Sequence, residues 1–375
     1  MNQRRDFIRL IGGGVVLAAT SSCAATPDDT RAAWRNPGAA ETDPRCRALS
    51  WAILAPNPHN MQPWLVDLSA PGELTLYVDT ARLLPITDPF NRQIVIGCGA
   101  FLELLRMAAA REGLNAAVEP FPAGEPRLLD ERPVARVRFS PGGSPDPLFR
   151  HVLARRTNRT AFDERPIAAS ASRTIVDAAM ASLVRAGSAT DVARVERLKA
   201  LVFKGAEVEA HTPAAHQESV DRTFIGSKDV AAHRYGISIE GGVIETAHAV
   251  GLLTQDRMKR PGSFAFGQSL SFLKTASDTS RGFVWLVTEG DTRAEQLAAG
   301  ASYVQANLAA TGTGLAMHPW SQLLQEYETQ DALREAVHRE LTPGGGRIQM
   351  LARIGYTKPV PPAPRRGLAA QMWRA

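Results

Sequence analysis

A mixed helix-and-strand chain carrying an internal duplication is what this sequence predicts, on three observations. Residues 74–78, 134–139, 282–288 and 347–356 are alternating or apolar runs of strand character, whereas residues 93–113 and 297–317 read as long, mostly buried helices. A shift of 201 residues lays Gly113-Leu114 on Gly314-Leu315 and also matches Gly99 with Gly300, Ala100 with Ala301, Ala108 with Ala309 and Ala109 with Ala310. Finally, 375 residues with 44% apolar and 22% charged composition suit two globular domains or one large duplicated one.

The chain begins with what reads as an address. Arg4-Arg5-Asp6-Phe7-Ile8-Arg9 is a twin-arginine pattern, followed by an apolar run over 10–20 broken by Gly12, Gly13 and Gly14. That run is too short for a permanent membrane span. Residues 1–25 are expected to be an export signal read by the twin-arginine translocation machinery, placing the mature chain in the periplasm or cell envelope. Thr20 is a poor match to the aliphatic position expected before a lipidated cysteine, so a lipid anchor at Cys23 is not favoured. Of the net charge of +5, most sits in the first nine residues and the last eighteen, and the rest is near neutral. No broad basic face follows, and nucleic acid is not an expected partner. Cys46 and Cys98, which remain after cleavage, are expected as buried free thiols.

Residues 26–43 are small, polar and turn-rich, as a linker behind a signal would be. A helix is expected from about Asp43 to Leu54. It runs into Ala55-Pro56-Asn57-Pro58-His59-Asn60-Met61-Gln62-Pro63-Trp64, where three prolines and two asparagines preclude regular structure and leave backbone groups free to bind. A hairpin follows over 65–78, then the helix over 93–113. The latter also contains Gly97-x-Gly99, part of a dinucleotide-binding fingerprint, but Leu102 stands where the third glycine belongs. Residues 171–185 and 192–209 are expected as amphipathic helices, 211–273 as a less regular region with a loop at 261–267, 327–338 as a helix, and 359–366 as an extended tail. His211 and His216 lie five apart, off a common helical face, so no metal site is assigned.

Between these elements, residues 151–159 read as a short helix ending in Arg155-Arg156-Thr157-Asn158-Arg159. Guanidinium forks match phosphate oxygens, and Thr157 adds a hydroxyl donor. The tail offers Arg365 and Arg366 to the same purpose.

Four segments together resemble the FMN-dependent nitroreductase superfamily, in particular its Acg-like branch with a twin-arginine signal. They are residues 55–64, Asp88-Pro89-Phe90-Asn91-Arg92-Gln93 leading into Cys98-Gly99-Ala100, residues 155–159, and residues 351–366. The resemblance implies a three-layer α+β nitroreductase-type fold, duplicated so that one chain mimics the family's homodimer, with a first half over 44–148 and a second over 149–375. The loop sits only in the first half and the arginines only in the second, so one FMN site per monomeric pseudo-dimer is implied. Its residues would be Pro56, Asn57, Pro58, His59, Asn60, Gln62, Arg155, Arg156, Thr157, Arg159, Met317, His318, Arg365 and Arg366, with Trp64, Pro319 and Trp320 against the ring and Phe264 and Phe266 in the pocket wall. No side chain would act as nucleophile; His59 could modulate the flavin. The implied reaction is ping-pong hydride transfer from NAD(P)H through FMN to a nitroaromatic, quinone or similar acceptor. The alternative is an FMN-binding protein with little turnover, which the scarcity of NAD(P)H outside the cytoplasm would suit. Asn57 stands where many members have serine.

Overall fold

The computed structural model describes residues 30–373; the expected export signal and Cys23 lie outside the described residues. Each half is built around one antiparallel sheet and one 20-residue helix. In the first half, α1 (Pro44–Ala52) starts at Asp43, whose carboxylate accepts from Arg45 N at 2.8 Å. Then come β1 (Trp64–Asp67), β2 (Glu73–Val78), α2 (Arg92–Arg111), β3 (Leu114–Pro120) and β4 (Ala135–Pro141), in the sheet order β1-β2-β4-β3.

The second half opens with α3 (Ala169–Ala179) and β5 (Arg185–Ala189). A long excursion follows: α4 (Val192–His211), α5 (Pro213–Asp221), β6 (Thr223–Ile225), α6 (Ser227–His233), β7 (Ile237–Ile239), α7 (Gly242–Ala249), α8 (Gln255–Lys259) and α9 (Phe264–Asp278). The chain returns as β8 (Gly282–Thr288), α10 (Arg293–Gly312), β9 (Ala316–Pro319), α11 (Asp331–Leu341) and β10 (Arg347–Gly355), and the sheet order is β5-β8-β10-β9. With the excursion and α11 set aside, both halves run helix, two strands, helix, two strands, and both sheets have the same order and antiparallel sense.

The long helices α2 and α10 start and stop 201 residues apart and cross where Gly99 meets Gly300. A Cβ on Gly99 would overlap the carbonyl oxygen of Leu297, and a Cβ on Gly300 would overlap that of Ile96. Since Leu297 is the counterpart of Ile96 under the same shift, the contact is reciprocal, as at a twofold axis. The helices' first residues repeat the pattern. Arg92 donates to the carbonyls of Leu324 and Gln349, each at 2.9 Å, in the second half. Arg293 donates to those of Phe90 (2.9 Å), Pro126 (3.2 Å) and Arg127 (2.5 Å) in the first.

One core joins α1, α2 and β1–β4 with Leu297, Val304 and Leu308 of α10. Strand β8 explains its unbroken apolar run by burying both faces: Phe283, Trp285 and Val287 pack with α4 and α11, while Val284 and Leu286 pack with α3 and α10. The Gly97-x-Gly99 segment lies inside one continuous helix, so it is no strand-to-helix phosphate turn. Cys46 and Cys98 are free thiols, and burial pushes that of Cys98 up to about 12.

Several boundaries differ from the sequence reading. The linker expected over 26–43 is, from Thr30 onward, folded onto the protein, with Trp34 in the first core. Residues 171–185 divide into most of α3, a turn over 180–184 and the first residue of β5. The helix expected over 297–317 stops at Gly312, and Gly314 turns the chain at φ +77° into β9, so Met317 and His318 lie on a strand. The loop expected over 261–267 becomes helix from Phe264, capped by Ser263. Pairing across the sheets decides β5 and β9, and that pairing is distant in sequence.

Replacing Gly300 with alanine is expected to lower stability by about 1–3 kcal/mol through overpacking against the Ile96 carbonyl. Gly267→Ala, where open space surrounds the new methyl within α9, should instead stabilise by about 0.5–1 kcal/mol. Urea unfolding of both variants checks this; a Gly300→Ala protein as stable as the parent would contradict the close crossing.

Candidate functional site

The loop between α1 and β1 holds an unusual backbone. His59, Asn60 and Gln62 have φ of 47°, 53° and 51°, and left-handed conformations outside glycine cost about 1–3 kcal/mol each. The loop's own side chains hold part of it: Asn57 Oδ1 accepts from Gln62 N at 2.7 Å, and Asn57 Nδ2 donates to Ala55 O at 3.1 Å. Helix α2 supports it from below, where a Cβ on Gly97 would stand 3.1 Å from Asn57 Cβ and 3.2 Å from Pro58 Cδ.

The remaining supports come from the second half. Gly236 N donates to Asn60 O at 3.1 Å, and Asn60 Nδ2 donates to the carbonyls of Gly236 (3.2 Å) and Pro364 (3.1 Å). Gln62 Nε2 donates to Arg234 O at 3.0 Å. Arg366 N donates to Gln62 Oε1 at 2.7 Å, and the Arg366 side chain donates to Gln62 O and Ala370 O. Asn60 and Gln62, expected to face a ring, are therefore committed to fixing the loop.

The arginines behave unequally. The short helix expected over 151–159 does not form: a 3-10 turn, Pro147–His151, ends where it was to begin, and the chain then runs irregularly to Thr157, which pairs with Met317 in a single parallel bridge. Asn158 N donates to Met317 O at 3.1 Å, which brings the segment against β9. Arg365 is only 4% exposed and fills its guanidinium on the protein, donating to the carbonyls of Ile53, Leu54, Ala55 and Pro364 and to Asn60 Oδ1. It serves as a tie between the tail and the loop entrance, with no donor left for a ligand. Arg156 is half-committed, to the carbonyls of Leu153, Arg155 and Val360.

Arg155 is the exception. It is 2% exposed and donates once, from Nη2 to Leu54 O at 3.0 Å, while its Nε and Nη1 are buried without a partner. Burial holds its pKa down at about 10. Burial likewise lowers that of Arg159. Among the described residues, no carboxylate lies within 4 Å of Arg155, Arg156, Arg159 or Arg365. Buried cations without a counter-charge are costly, and an anion among them would meet both the charge and the open donors of Arg155.

His59 also has a buried, unpartnered Nδ1. Burial, with Arg159 and Arg222 nearby, drives its pKa down to about 4, so the imidazole is neutral at physiological pH. On α10, Tyr303 is buried beside Arg155 and Arg159; burial raises its pKa to about 12, and its hydroxyl accepts from Asn307 Nδ2 at 3.5 Å.

Not every expected residue joins this cluster with a free group. His318 accepts from Arg353 Nε at Nδ1, 2.9 Å, and burial holds it neutral. Met317 lies in the core behind β9. Trp64 packs on Phe101, and Trp320 donates to Val202 O at 2.7 Å in the second core, so both are structural. Phe266 sets its ring between His211 and His216. Trp34, Arg222, Tyr303 and residues 234–236, which do join, were not expected. Of these, only Trp34 had a sequence signal, as a lone tryptophan in a small, polar stretch.

The folded pKa of about 4 at His59 lies below the ordinary 6.5, so the folded chain binds fewer protons than the unfolded chain between those values. Stability linked to His59 is complete above about pH 6.5 and is lost as pH falls toward 4. Replacing His59 with Gln should therefore flatten the acid limb, so that the parent loses more of its urea midpoint than the variant between about pH 7 and about pH 4.5. Parallel pH curves would show that this imidazole is not depressed.

No family model matches the chain. It is 28% identical over 333 residues, 86% of this chain and 88% of the other, to the Mycobacterium tuberculosis H37Rv protein named "Putative NAD(P)H nitroreductase Rv3131". The same organism's nitroreductase-named Acg protein is 36% identical over 129 residues, 33% of this chain and 38% of its own. Among solved structures, the FMN-dependent nitroreductase NfnB from Mycobacterium smegmatis in complex with NADPH aligns over 61% of this chain and 98% of that one, at 16% identity and a TM-score of 0.39. Along most of its length, the chain is thus similar in sequence to a protein named as a putative NAD(P)H nitroreductase.

Proposed function

We propose that this chain is an FMN-dependent oxidoreductase of nitroreductase type, transferring hydride from NAD(P)H to a nitroaromatic, quinone or similar small acceptor. The observation that carries the reading is the unfilled Nε and Nη1 of buried Arg155, set where the first half's loop at 56–62 meets the second half's residues 155–159 and tail. These residues fit a phosphorylated flavin: Arg155, Arg156 and Arg159 would hold the phosphate, with Tyr303 beside them, and the loop carrying Pro56, Asn57, Pro58 and His59 would line the ring. Bound FMN supplies a ring nitrogen that accepts and donates hydride. The protein's share is to bind, orient and exclude water. Neutral His59 offers one nitrogen near the ring without adding a positive charge next to Arg159. Arg365, Arg366, Asn60 and Gln62 act one step back, by holding the loop's shape.

The repeated topology and the reciprocal Gly99–Gly300 and Arg92–Arg293 contacts support reading the chain as a duplicated pseudo-dimer of Acg-like type. It keeps one site because the second half connects α3 to β5 through residues 180–184, with no equivalent of the loop at 55–63. Residues 1–25 serve as a twin-arginine export signal, delivering the folded monomer to the periplasm or cell envelope.

Three measurements test this. The purified chain should be yellow, with a band near ~450 nm, one FMN per polypeptide, and bleaching by NADPH or NADH. Persistent colour with both nicotinamides would favour FMN storage over turnover. The Arg155→Ala, Arg156→Ala double variant should be colourless, and stoichiometric FMN in it would sink the phosphate assignment. Arg4→Lys with Arg5→Lys should strand the protein in the cytoplasm, where unchanged fractionation would exclude the export reading.

A further inference from the structure

We infer that Trp34 is a positioning residue for the phosphate pole: its indole is the platform that holds Arg155, Arg156 and Arg365 together, and so sets the preference for a phosphorylated flavin over its dephosphorylated form. This rests on the flavin reading above. The guanidinium carbons of Arg156, Arg365 and Arg155 stand 4.9, 5.1 and 5.8 Å from the ring's centroid. Three like charges around one side chain repel one another, and no carboxylate among the described residues lies within 4 Å of them. Carbonyl acceptors hold these side chains one by one, and the negative potential of the indole face is the attraction shared by all three, tryptophan being the strongest such partner among the aromatic residues.

The ring is fixed from its other side. Trp34 is 8% exposed, and its Nε1 donates to Ala363 O at 2.8 Å. Its own segment straps the tail down: Arg365 N donates to Thr30 O at 3.0 Å, Arg31 Nε donates to Pro362 O at 2.7 Å, and Arg31 pairs with Glu240. Residues 30–34 thus clamp residues 362–365, whose Arg365 in turn holds the loop entrance through Ile53, Leu54 and Ala55. Arg155 shares one of those acceptors, Leu54 O, and keeps its unfilled Nε and Nη1 as a result of being held in place. Without the indole face, Arg365 and Arg156 keep their carbonyl acceptors, whereas Arg155 is left on a single hydrogen bond with two like charges beside it.

The test is titration of the flavin-free full chain with FMN and, separately, with riboflavin, which lacks only the phosphate. The parent should prefer FMN by tenfold or more. Trp34→Leu, which keeps apolar volume but removes the face, should lose tenfold or more in FMN affinity with riboflavin affinity unchanged. Trp34→Phe, with a weaker face, should lose about threefold in the same selective way, and it decides alone if Trp34→Leu does not fold. An unchanged FMN-to-riboflavin ratio, or an equal loss for both ligands, would overturn the positioning role. A parent that binds riboflavin as tightly as FMN would overturn it too. Failure of the parent to bind either flavin would sink the flavin reading itself.

Discussion

Everything in this protein is arranged about the crossing of α2 and α10 at Gly99 and Gly300. Two 20-residue helices can approach until backbone meets backbone only because neither carries a side chain at that point, and dispersion and burial then favour the contact along both helices. The crossing sets the relation of the two sheets. It also places the start of each helix against the opposite half, where Arg92 and Arg293 satisfy carbonyls that would otherwise be buried without donors. Gly97, two residues before Gly99 and so on roughly the opposite side of α2, supports the loop at Asn57 and Pro58, so the same helix that joins the halves also carries the site.

The site is an economy of buried donors. Arginine side chains that look equivalent are sorted by their acceptors: Arg365 is saturated by carbonyls, Arg156 partly so, and Arg155 is left with two free N–H groups in a desolvated position. The surrounding groups are neutral or cationic, as depressed His59 and His318 show, so the pole favours an anion by several routes at once. Backbone strain over residues 59–62 is maintained by bonds from residues 234–236 and 364–366, which lie far off in sequence. A loop so overdetermined is preorganised, and preorganisation reduces what binding must spend on ordering.

Much of this was legible beforehand, and the failures have one origin. The loop at 55–64 was readable from its prolines, the hairpin from its alternation, α2 and α4 from their periodicity, and the 201-residue correspondence of α2 with α10 from a handful of glycines and alanines. Residues 316 and 317 were read as the end of a helix because they follow an apolar helical stretch; pairing to β10 overrides that local preference. Trp64 and Trp320 were read as ring-facing because flat side chains near a polar loop invite it, yet both fill cores.

By itself, the sequence determined which residue types were available: a proline-rich loop, a cluster of arginines, a basic tail, and small residues at a repeated spacing. It could not determine which guanidinium would stay free, because that depends on acceptors supplied by segments up to about three hundred residues away. Tertiary structure alone decided that Arg365 is spent on Ile53, Leu54 and Ala55, that Arg155 is not spent, and that Trp34 stands among them. The physical reason is that hydrogen-bond saturation and cation–aromatic contact are properties of proximity, and proximity here is set by the helix crossing and the folded-back tail.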